Sequence, residues 1–234
     1  MLKKIIYISL LLVLPLTVSA QERKVQNKPY IDYRRLHYGF FVGTHVQDME
    51  LVNNAFVTED GEEWYADVSQ YSPGLTVGVL ADLRMGTYMS LRLMPSMHFG
   101  QSDLVFREQK GGELSRQQIK TTYIAVPLHV KFASERFNNY RPYVTMGASP
   151  MVNLTVKKHQ QLLVKRFDTM IEVGFGCDFY LPFFKLIPEL KFAFSPLNVL
   201  QKDRKDLLDA NMLKFTNSVD RVSSKMVILT FYFE

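Results

Sequence analysis

Residues 167–181 alternate strictly between two kinds of side chain. One set is Phe167, Thr169, Ile171, Val173, Phe175, Cys177, Phe179 and Leu181, and the other is Asp168, Met170, Glu172, Gly174, Gly176, Asp178 and Tyr180. Successive side chains of a β-strand point to opposite faces, so a strand here has one apolar face and one face of small and charged residues. The alternation therefore predicts a strand with two very different faces.

The same alternation recurs along the chain and predicts eight strands. They cover residues 35–46, 74–84, 88–99, 121–133, 142–156, 167–181, 186–194 and 225–233. Each is close to the length of about 9 to 11 residues that a tilted strand needs to cross a bilayer. Pro188 belongs to the apolar set of alternating residues, here called the apolar parity, of the seventh strand. Proline removes a ladder hydrogen bond in mid-strand, so we expect a bulge or local irregularity there.

The connections between these strands alternate between short and long. Short connections cover residues 85–87, 134–139 and 182–184, and long polar ones cover 47–70, 101–118, 157–166 and 195–224. This alternation is typical of outer-membrane barrels, which have tight periplasmic turns and long outer loops. A soluble β-sandwich has no reason to maintain it.

The positions of the glycines distinguish a membrane barrel from a soluble barrel of the lipocalin type. Six glycines share the parity of the charged residues: Gly39, Gly43, Gly78, Gly147, Gly174 and Gly176. An eight-stranded barrel has an interior only wide enough for its own side chains, so small residues belong inside and bulky ones outside, against lipid. We predict an all-β fold, an eight-stranded antiparallel transmembrane up-and-down β-barrel of the OmpX or OmpA kind. It has a polar lumen and long loops after the odd strands.

Charged residues of both signs are predicted to fill this lumen. They are Asp82, Arg84, Arg92, Lys131, Glu172, Asp178, Glu189 and Lys191. In a narrow interior an unpaired charge is costly, so these residues are expected to pair with one another. A lumen filled in this way argues against a general diffusion porin.

Aromatic residues near the strand ends are predicted to anchor the barrel at the membrane interfaces. They are Tyr71, Tyr88, Tyr140, Tyr143, Phe183 and Phe184, and the final strand also ends on aromatics at Phe231, Tyr232 and Phe233. Interfacial aromatic girdles of this kind are typical of outer-membrane barrels.

The N-terminus predicts export. Lys3 and Lys4 precede an apolar run over residues 5–16, and Val18, Ser19 and Ala20 place small residues before a cleavage site. We interpret residues 1–20 as a signal peptide, 21–34 as an N-terminal periplasmic arm and 35–234 as a single barrel domain in the outer membrane of a Gram-negative bacterium. The lone Cys177 excludes an intramolecular disulfide.

Few residues suggest chemistry. Removal of two lysines with the signal peptide lowers the net charge from +5 to +3, too little and too evenly spread to predict nucleic-acid binding. The histidines His37, His45, His98, His129 and His159 lack zinc-ligand spacing on any one element. We predict no catalytic, cofactor, metal or small-molecule substrate site. A lipid-modifying enzyme stays open as an alternative, because lipid hydrolases of this barrel kind use Ser and His and the chain has Ser90, Ser96, His98 and His129. No GxSxG signature singles out a nucleophile among them.

The longest connection, 197–224, is highly charged and is expected to contain a helical stretch near residues 204–215. It is either a solvated loop or a surface on which another protein docks, since long loops in compact folds are often functional.

Four stretches together resemble the PorT family, called SprT in gliding bacteria. They are KVQNKPYIDYRRLHYGFFVG (24–43), TTYIAVPLHVKFASERFNNYRPY (121–143), LTVKKHQQLLVKRFDTMIEVGFGCDFYLPFFKLIPELKFAF (154–194) and MVILTFYFE (226–234). The resemblance implies an outer-membrane component required by the type IX secretion system, which exports proteins bearing a C-terminal sorting domain, and in some members also for gliding motility. It implies outer-membrane lipid and other type IX secretion proteins as partners, and it names no catalytic residue.

Because a filled eight-stranded barrel is too narrow for folded cargo, we expect an accessory or assembly role and not a conduit. The alternatives are a small surface adhesion or defence barrel of the OmpX type, acting through its long loops, and the lipid-modifying enzyme.

Overall fold

A computed structural model of the chain describes residues 26–53, 64–108, 114–155, 165–201 and 219–234. The predicted signal peptide, His159 and the predicted helical stretch at 204–215 lie outside these residues. A short 3-10 turn at Ile31–Tyr33 precedes eleven strands. The strands are β1 (Leu36–Asn53), β2 (Trp64–Tyr71), β3 (Pro73–Arg84), β4 (Met89–Leu93), β5 (Ser96–Glu108), β6 (Leu114–Ala125), β7 (Leu128–Ala133), β8 (Tyr140–Asn153), β9 (Phe167–Tyr180), β10 (Lys185–Phe194) and β11 (Val219–Phe233).

The strands pair antiparallel, and the pairings close into a ring. Strand β1 pairs with β3, β3 with β4 and β5, and these with β7 and β6. The circuit continues through β8, β9, β10 and β11, and β11 returns to β1. Strands β4 and β5 share one position of the ring and β6 and β7 share another, so the described strands form a ring of eight positions. Strand β2 pairs with β5 outside the ring.

Three prolines interrupt this ring without changing its register. Pro95 separates β4 from β5 and Pro127 separates β6 from β7, yet Leu93↔Leu128 and Ser96↔Ala125 keep the same register on either side. At Pro188 the pairing with β9 is missing, while the pairing with β11 continues. The irregularity expected at Pro188 is therefore present, but it is a gap in one ladder and not a bulge.

The strands extend further than predicted at one end of the ring. Five stretches of strand were predicted to be connecting segments: 47–53 of β1, 64–70 of β2, 101–108 of β5, 114–118 of β6 and 219–224 of β11. That prediction was wrong for these residues because they carry polar side chains on both parities, and an alternating pattern appears only where one face is apolar. We call this the loop end of the ring.

The opposite end, the turn end, carries the short connections. Leu181 N–H donates to the carbonyl of Phe184, and Met85 N–H donates to that of Met89. Between two of these turns the Tyr88 hydroxyl donates to Glu135 at 2.9 Å, and this hydrogen bond raises the pKa of the Tyr88 phenol. These contacts hold neighbouring turns together.

The two faces of the ring separate by parity as expected. Inward residues are buried and form two apolar clusters, one with Phe41, Leu80 and Ile187 and the other with Met151, Met170 and Ile228. Outward residues are large, apolar and exposed, including Phe40, Val79, Phe132, Met146, Phe175, Phe192 and Phe231. Among the residues described, no helix is long and apolar enough to cross a lipid bilayer.

Candidate functional site: the charged interior and the docked arm

A fully buried arginine lies inside the ring. Arg92 is 0 % exposed, and its Nε lies 3.1 Å from Asp82 Oδ2 while its Nη1 lies 2.9 Å from Glu189 Oε2. The guanidinium also lies over the rings of Tyr143 and Tyr232, 5.1 and 5.2 Å from their centroids. Both phenols donate to Glu189. One cation thus neutralises two carboxylates, and the second carboxylate is held by three donors.

A second group of charges lies towards the turn end. Lys131 Nζ lies 2.8 Å from both carboxylate oxygens of Asp178, and Lys185 Nζ lies 2.6 Å from Glu234 and 3.7 Å from Asp178. His37 pairs with the other oxygen of Glu234. Because Glu234 belongs to the segment after β11 and His37 to β1, this group joins the two strands that close the ring.

A third group surrounds Glu172. His129 Nε2 and Lys191 Nζ lie 3.1 and 3.4 Å from Glu172 Oε2. All three side chains are buried. Carboxylates without a partner would be very costly in such an interior, and each carboxylate of these three groups has a cation beside it.

The structure brings seven of the eight predicted lumen residues into these groups: Asp82, Arg92, Lys131, Glu172, Asp178, Glu189 and Lys191. Arg84 lies apart, half-buried at the turn end, where it donates to the backbone carbonyls of Gly86 and Asp32. The sequence-based set lacked Lys185 because the predicted strand began at residue 186. Lys185 is the first residue of β10 and alternates in step with Glu189.

Tyr143 was predicted to belong to the aromatic girdle, and that prediction was wrong. It is 4 % exposed and faces the interior, because residue 143 shares the inward parity of Thr145. Gly176 makes room for it: a Cβ added to Gly176 would lie 2.5 Å from the Tyr143 hydroxyl oxygen. Four of the other girdle residues are exposed near the turn end: Tyr88, Tyr140, Phe183 and Phe184. The side chain of Tyr71 is not among those that the structure describes.

A separate cluster of hydroxyls and imidazoles lies inside the ring. Thr76 Oγ1 lies 2.8 Å from His45 Nδ1 and 2.9 Å from His98 Nδ1, and Ser96 Oγ lies 3.3 Å from His98 Nε2. Ser96 is only 6 % exposed and faces inward, so lipid outside the ring cannot reach its hydroxyl. Ser90 and His129, the other candidates for lipid chemistry, are not part of this cluster. Within the described residues, no group of three or more His, Cys, Asp and Glu side chains could hold a metal ion.

The segment before β1 docks on the turn end through Asp32. Its carboxylate accepts from Tyr180 Oη at 2.6 Å, lies 3.3 Å from Arg136 Nη1 and lies 3.9 Å from Arg141 Nη1. Its backbone carbonyl accepts from Arg84. The sequence left open whether this segment is free or docked, and the structure shows it docked.

Asn27 provides a second anchor. Its N–H donates to Asn139 Oδ1 at 2.8 Å and its Nδ2 donates to the carbonyl of Tyr180 at 2.9 Å. Arg136 donates to the carbonyls of Asn27 and Lys28. We call residues 26–35 the arm.

The arm lies across the opening of the ring. Arg84 belongs to β3 and Tyr180 to β9, and these strands are four positions apart in the ring of eight. Asp32 bonds to both, so it lies between opposite walls. A cavity of about 30 Å³ beside it is lined by Asp32, His37, Lys131 and Lys185 among others. That volume holds roughly one or two water molecules.

Comparison with known proteins identifies the family. The model of the outer membrane protein beta-barrel domain matches residues 19–200, which is 182 of the 234 residues. No curated protein is significantly similar to the chain.

Among solved structures, neisserial surface protein A is similar at 10 % identity and a TM-score of 0.40, over 85 % of this chain and 98 % of that one. Ail of Yersinia pestis, in complex with the heparin analogue sucrose octasulfate, has 13 % identity, a TM-score of 0.37 and coverage of 86 % and 99 %. AlkL in DMPC bilayers has 11 % identity, a TM-score of 0.38 and coverage of 93 % and 95 %. These scores are too low to carry an argument, whereas the family match covers most of the chain. The chain belongs to the outer membrane protein β-barrel domain family.

Proposed function

We propose that this protein is an outer-membrane barrel required for type IX secretion of proteins that carry a C-terminal sorting domain. It acts as an accessory or assembly component, and in gliding bacteria it also supports motility. The observation that carries the accessory role is the filled interior at Arg92. The secretion role rests on the resemblance of four stretches of the chain to the PorT family.

The outward face supports a location in lipid. Large apolar side chains cover it from β1 around to β11, and isolated soluble proteins rarely expose apolar patches of more than a few hundred Å². Family membership places such a face against the outer membrane. By the usual rule for these barrels, the turn end lies in the periplasm and the loop end faces outwards. The arm is then periplasmic.

The interior supports a role other than conduit. Arg92, Tyr232, Met94 and Ile187 are all fully buried and meet inside the ring. A protein cargo could pass only if this packing and the ion pairs of Arg92 were broken. Breaking a buried ion pair typically costs about 3–5 kcal/mol, and several would have to break together.

The secretion role is tested by deleting the gene and following a reporter that carries a sorting domain. We expect the reporter to accumulate in the periplasm and to reach the surface again when the wild-type gene is restored. Normal surface delivery after deletion would remove the secretion role.

The accessory role is tested separately, with cargo arrested during export. A photoreactive phenylalanine analogue replaces Tyr143 or Tyr232, which face the interior, or Phe231, the outward-facing neighbour of Tyr232. We expect no cargo adduct from the two inward positions. Cargo linked to both of them, and not to Phe231, would show that the barrel is the conduit.

A surface adhesion or defence barrel is the second candidate, favoured by the strands that extend beyond the ring at the loop end. Strands β2, β5 and β6 form a projecting sheet there. Reduced adhesion with normal cargo delivery after deletion would favour this function. A lipid-modifying role has less support because Ser96 and His98 are buried inside the ring.

A further inference from the structure

The net positive charge of the chain lies in residues 21–35, whereas the sequence was predicted to spread it evenly. Residues 21–35 contain five basic residues and two acidic ones, a net charge of +3. The chain without its predicted signal peptide has 26 basic and 23 acidic residues, also +3. The remaining residues, 36–234, are therefore neutral overall, and the arm and the residues just before it account for the whole excess.

The arm's acidic residue is used for anchoring, which leaves its basic residues available. Asp32 is engaged by Tyr180, Arg136 and Arg141. Arg34 and Arg35 are exposed, and neither side chain has a hydrogen bond or ion pair with the described residues. Lys28 contributes a third basic side chain. The arm therefore presents uncompensated positive charge.

Two tyrosines lie among these basic residues. Tyr30 is 79 % exposed and Tyr33 is 75 % exposed. Tyrosine and arginine are among the side chains that are enriched at protein interfaces, since both offer large contact areas and hydrogen bonds. The arm thus combines the charge and the aromatic surface that a binding site for a protein segment requires.

The arm is also pre-organised. Asp32 and Asn27 fix it at two points, and Arg136 binds two of its carbonyls. A segment that is already ordered loses little conformational entropy when it binds a partner. Its basic residues therefore lie at defined positions before any contact is made.

The location of the arm separates a protein partner from a lipid surface. Lipid headgroups surround the outside of the ring, whereas Asp32 lies between β3 and β9 on opposite walls. A flat bilayer around the barrel cannot reach Asp32 in the middle of the opening, although Arg35, whose carbonyl accepts from Arg84 N–H, lies at the rim. A soluble, acidic segment can reach both.

We propose that the face of the arm formed by Lys28, Tyr30, Tyr33, Arg34 and Arg35 binds an acidic segment of a periplasmic protein. Glutamate or aspartate side chains pair with the basic residues, and apolar side chains of the segment pack on the two tyrosines. This proposal rests on the proposed function in one respect, the assignment of the turn end to the periplasm. The binding chemistry itself rests on the arm.

Binding is measured with the purified full chain in detergent and a fluorescent oligoglutamate peptide. The test variant combines Lys28→Asn, Arg34→Gln and Arg35→Gln. Asparagine suits residue 28 because φ is 48° there. The control variant removes three exposed basic residues at the loop end: Lys120→Gln, Arg166→Gln and Arg221→Gln.

At low salt we expect the arm variant to bind the peptide about tenfold more weakly than wild type, with the control variant within about twofold. Equal binding by the arm variant and wild type would overturn the proposal, and so would an equal loss in both variants. Vesicles containing phosphatidylglycerol are the competing probe. Arm-dependent binding of vesicles, with no binding of the peptide, would assign the arm to lipid instead.

A second measurement uses living cells. A photoreactive analogue at Tyr33 is expected to link to a protein segment rich in Asp and Glu, and the adduct is expected to disappear when Arg34 and Arg35 are also replaced by Gln. An adduct with a segment that is not acidic would contradict the proposal. If the deletion strain secretes normally and the charge-dependent adduct still forms, the binding site is supported and the secretion role is rejected. If the deletion strain secretes poorly and no adduct forms, the secretion role is supported and the binding site is rejected.

Discussion

At the scale of single residues, the fully buried Arg92 is the side chain whose loss has the clearest expected effect. It is the cation that faces Asp82 and Glu189 together. Replacement of Arg92 by Met leaves two buried carboxylates without that partner, so we expect a loss of about 3–5 kcal/mol in the free energy of unfolding. Urea unfolding in lipid vesicles, followed by circular dichroism, measures it.

A triple variant tests the reason for that loss. Arg92→Met combined with Asp82→Asn and Glu189→Gln removes the charges together, and we expect it to recover most of the stability. Lys225→Ala removes an exposed partner of Glu50 and should leave the unfolding midpoint unchanged. A triple variant as unstable as Arg92→Met alone would show that packing, and not charge, dominates at this position.

The parity of charged residues was enough to predict most of this interior. Asp178, Glu189 and Lys191 could be assigned because they alternate with lipid-facing residues. Tyr143 could not, since tyrosine suits both a membrane interface and a buried hydrogen bond to a carboxylate. The hydrogen bond to Glu189 comes from a strand 46 residues away and leaves no local signal.

At the scale of elements, the arm depends on one carboxylate. Asp32→Asn removes the charge that Arg136 and Arg141 face, and we expect the arm to leave the turn end more often. Limited trypsin digestion should then cut after Arg34 and Arg35 severalfold faster than in wild type, because cleavage needs a locally undocked chain.

Glu135→Gln is the control for that digestion. Glu135 lies at the same end and bonds Tyr88, but it does not contact the arm through any hydrogen bond that the structure shows among the described residues. We expect its cleavage rate to match wild type. Equal rates in wild type and Asp32→Asn would mean that Asn27 and Arg136 hold the arm without Asp32.

Strand positions were predictable where contact with lipid requires alternating apolar side chains, and they were not predictable at the loop end. The membrane-facing parts, such as β9 and β10, match the predicted ranges within a few residues. The extensions of β1, β5 and β6 at the loop end lacked an apolar face, so no alternation marked them. Pro188 could be flagged from sequence alone because proline lacks the N–H that a ladder requires.

At the scale of the whole molecule, the filled interior predicts a barrel that does not conduct ions. In planar bilayers we expect no steady single-channel current from the purified protein, since Arg92 and its neighbours fill the interior of the ring. A diffusion porin in the same bilayer serves as positive control. Steady current steps that scale with the amount of protein would contradict a closed lumen.

The ring closes by joining β1 to β11, and this has a consequence for how the molecule folds. Phe40 pairs with Phe233, two residues separated by 193 positions in the chain. Contacts between such distant residues form late, because the entropy of closing a long loop must be offset before they stabilise anything. Until then both strands are open edges that can pair with other chains. We expect the newly exported chain to need protection of these two edges, and the last pairs to form to be those between its first and final strands.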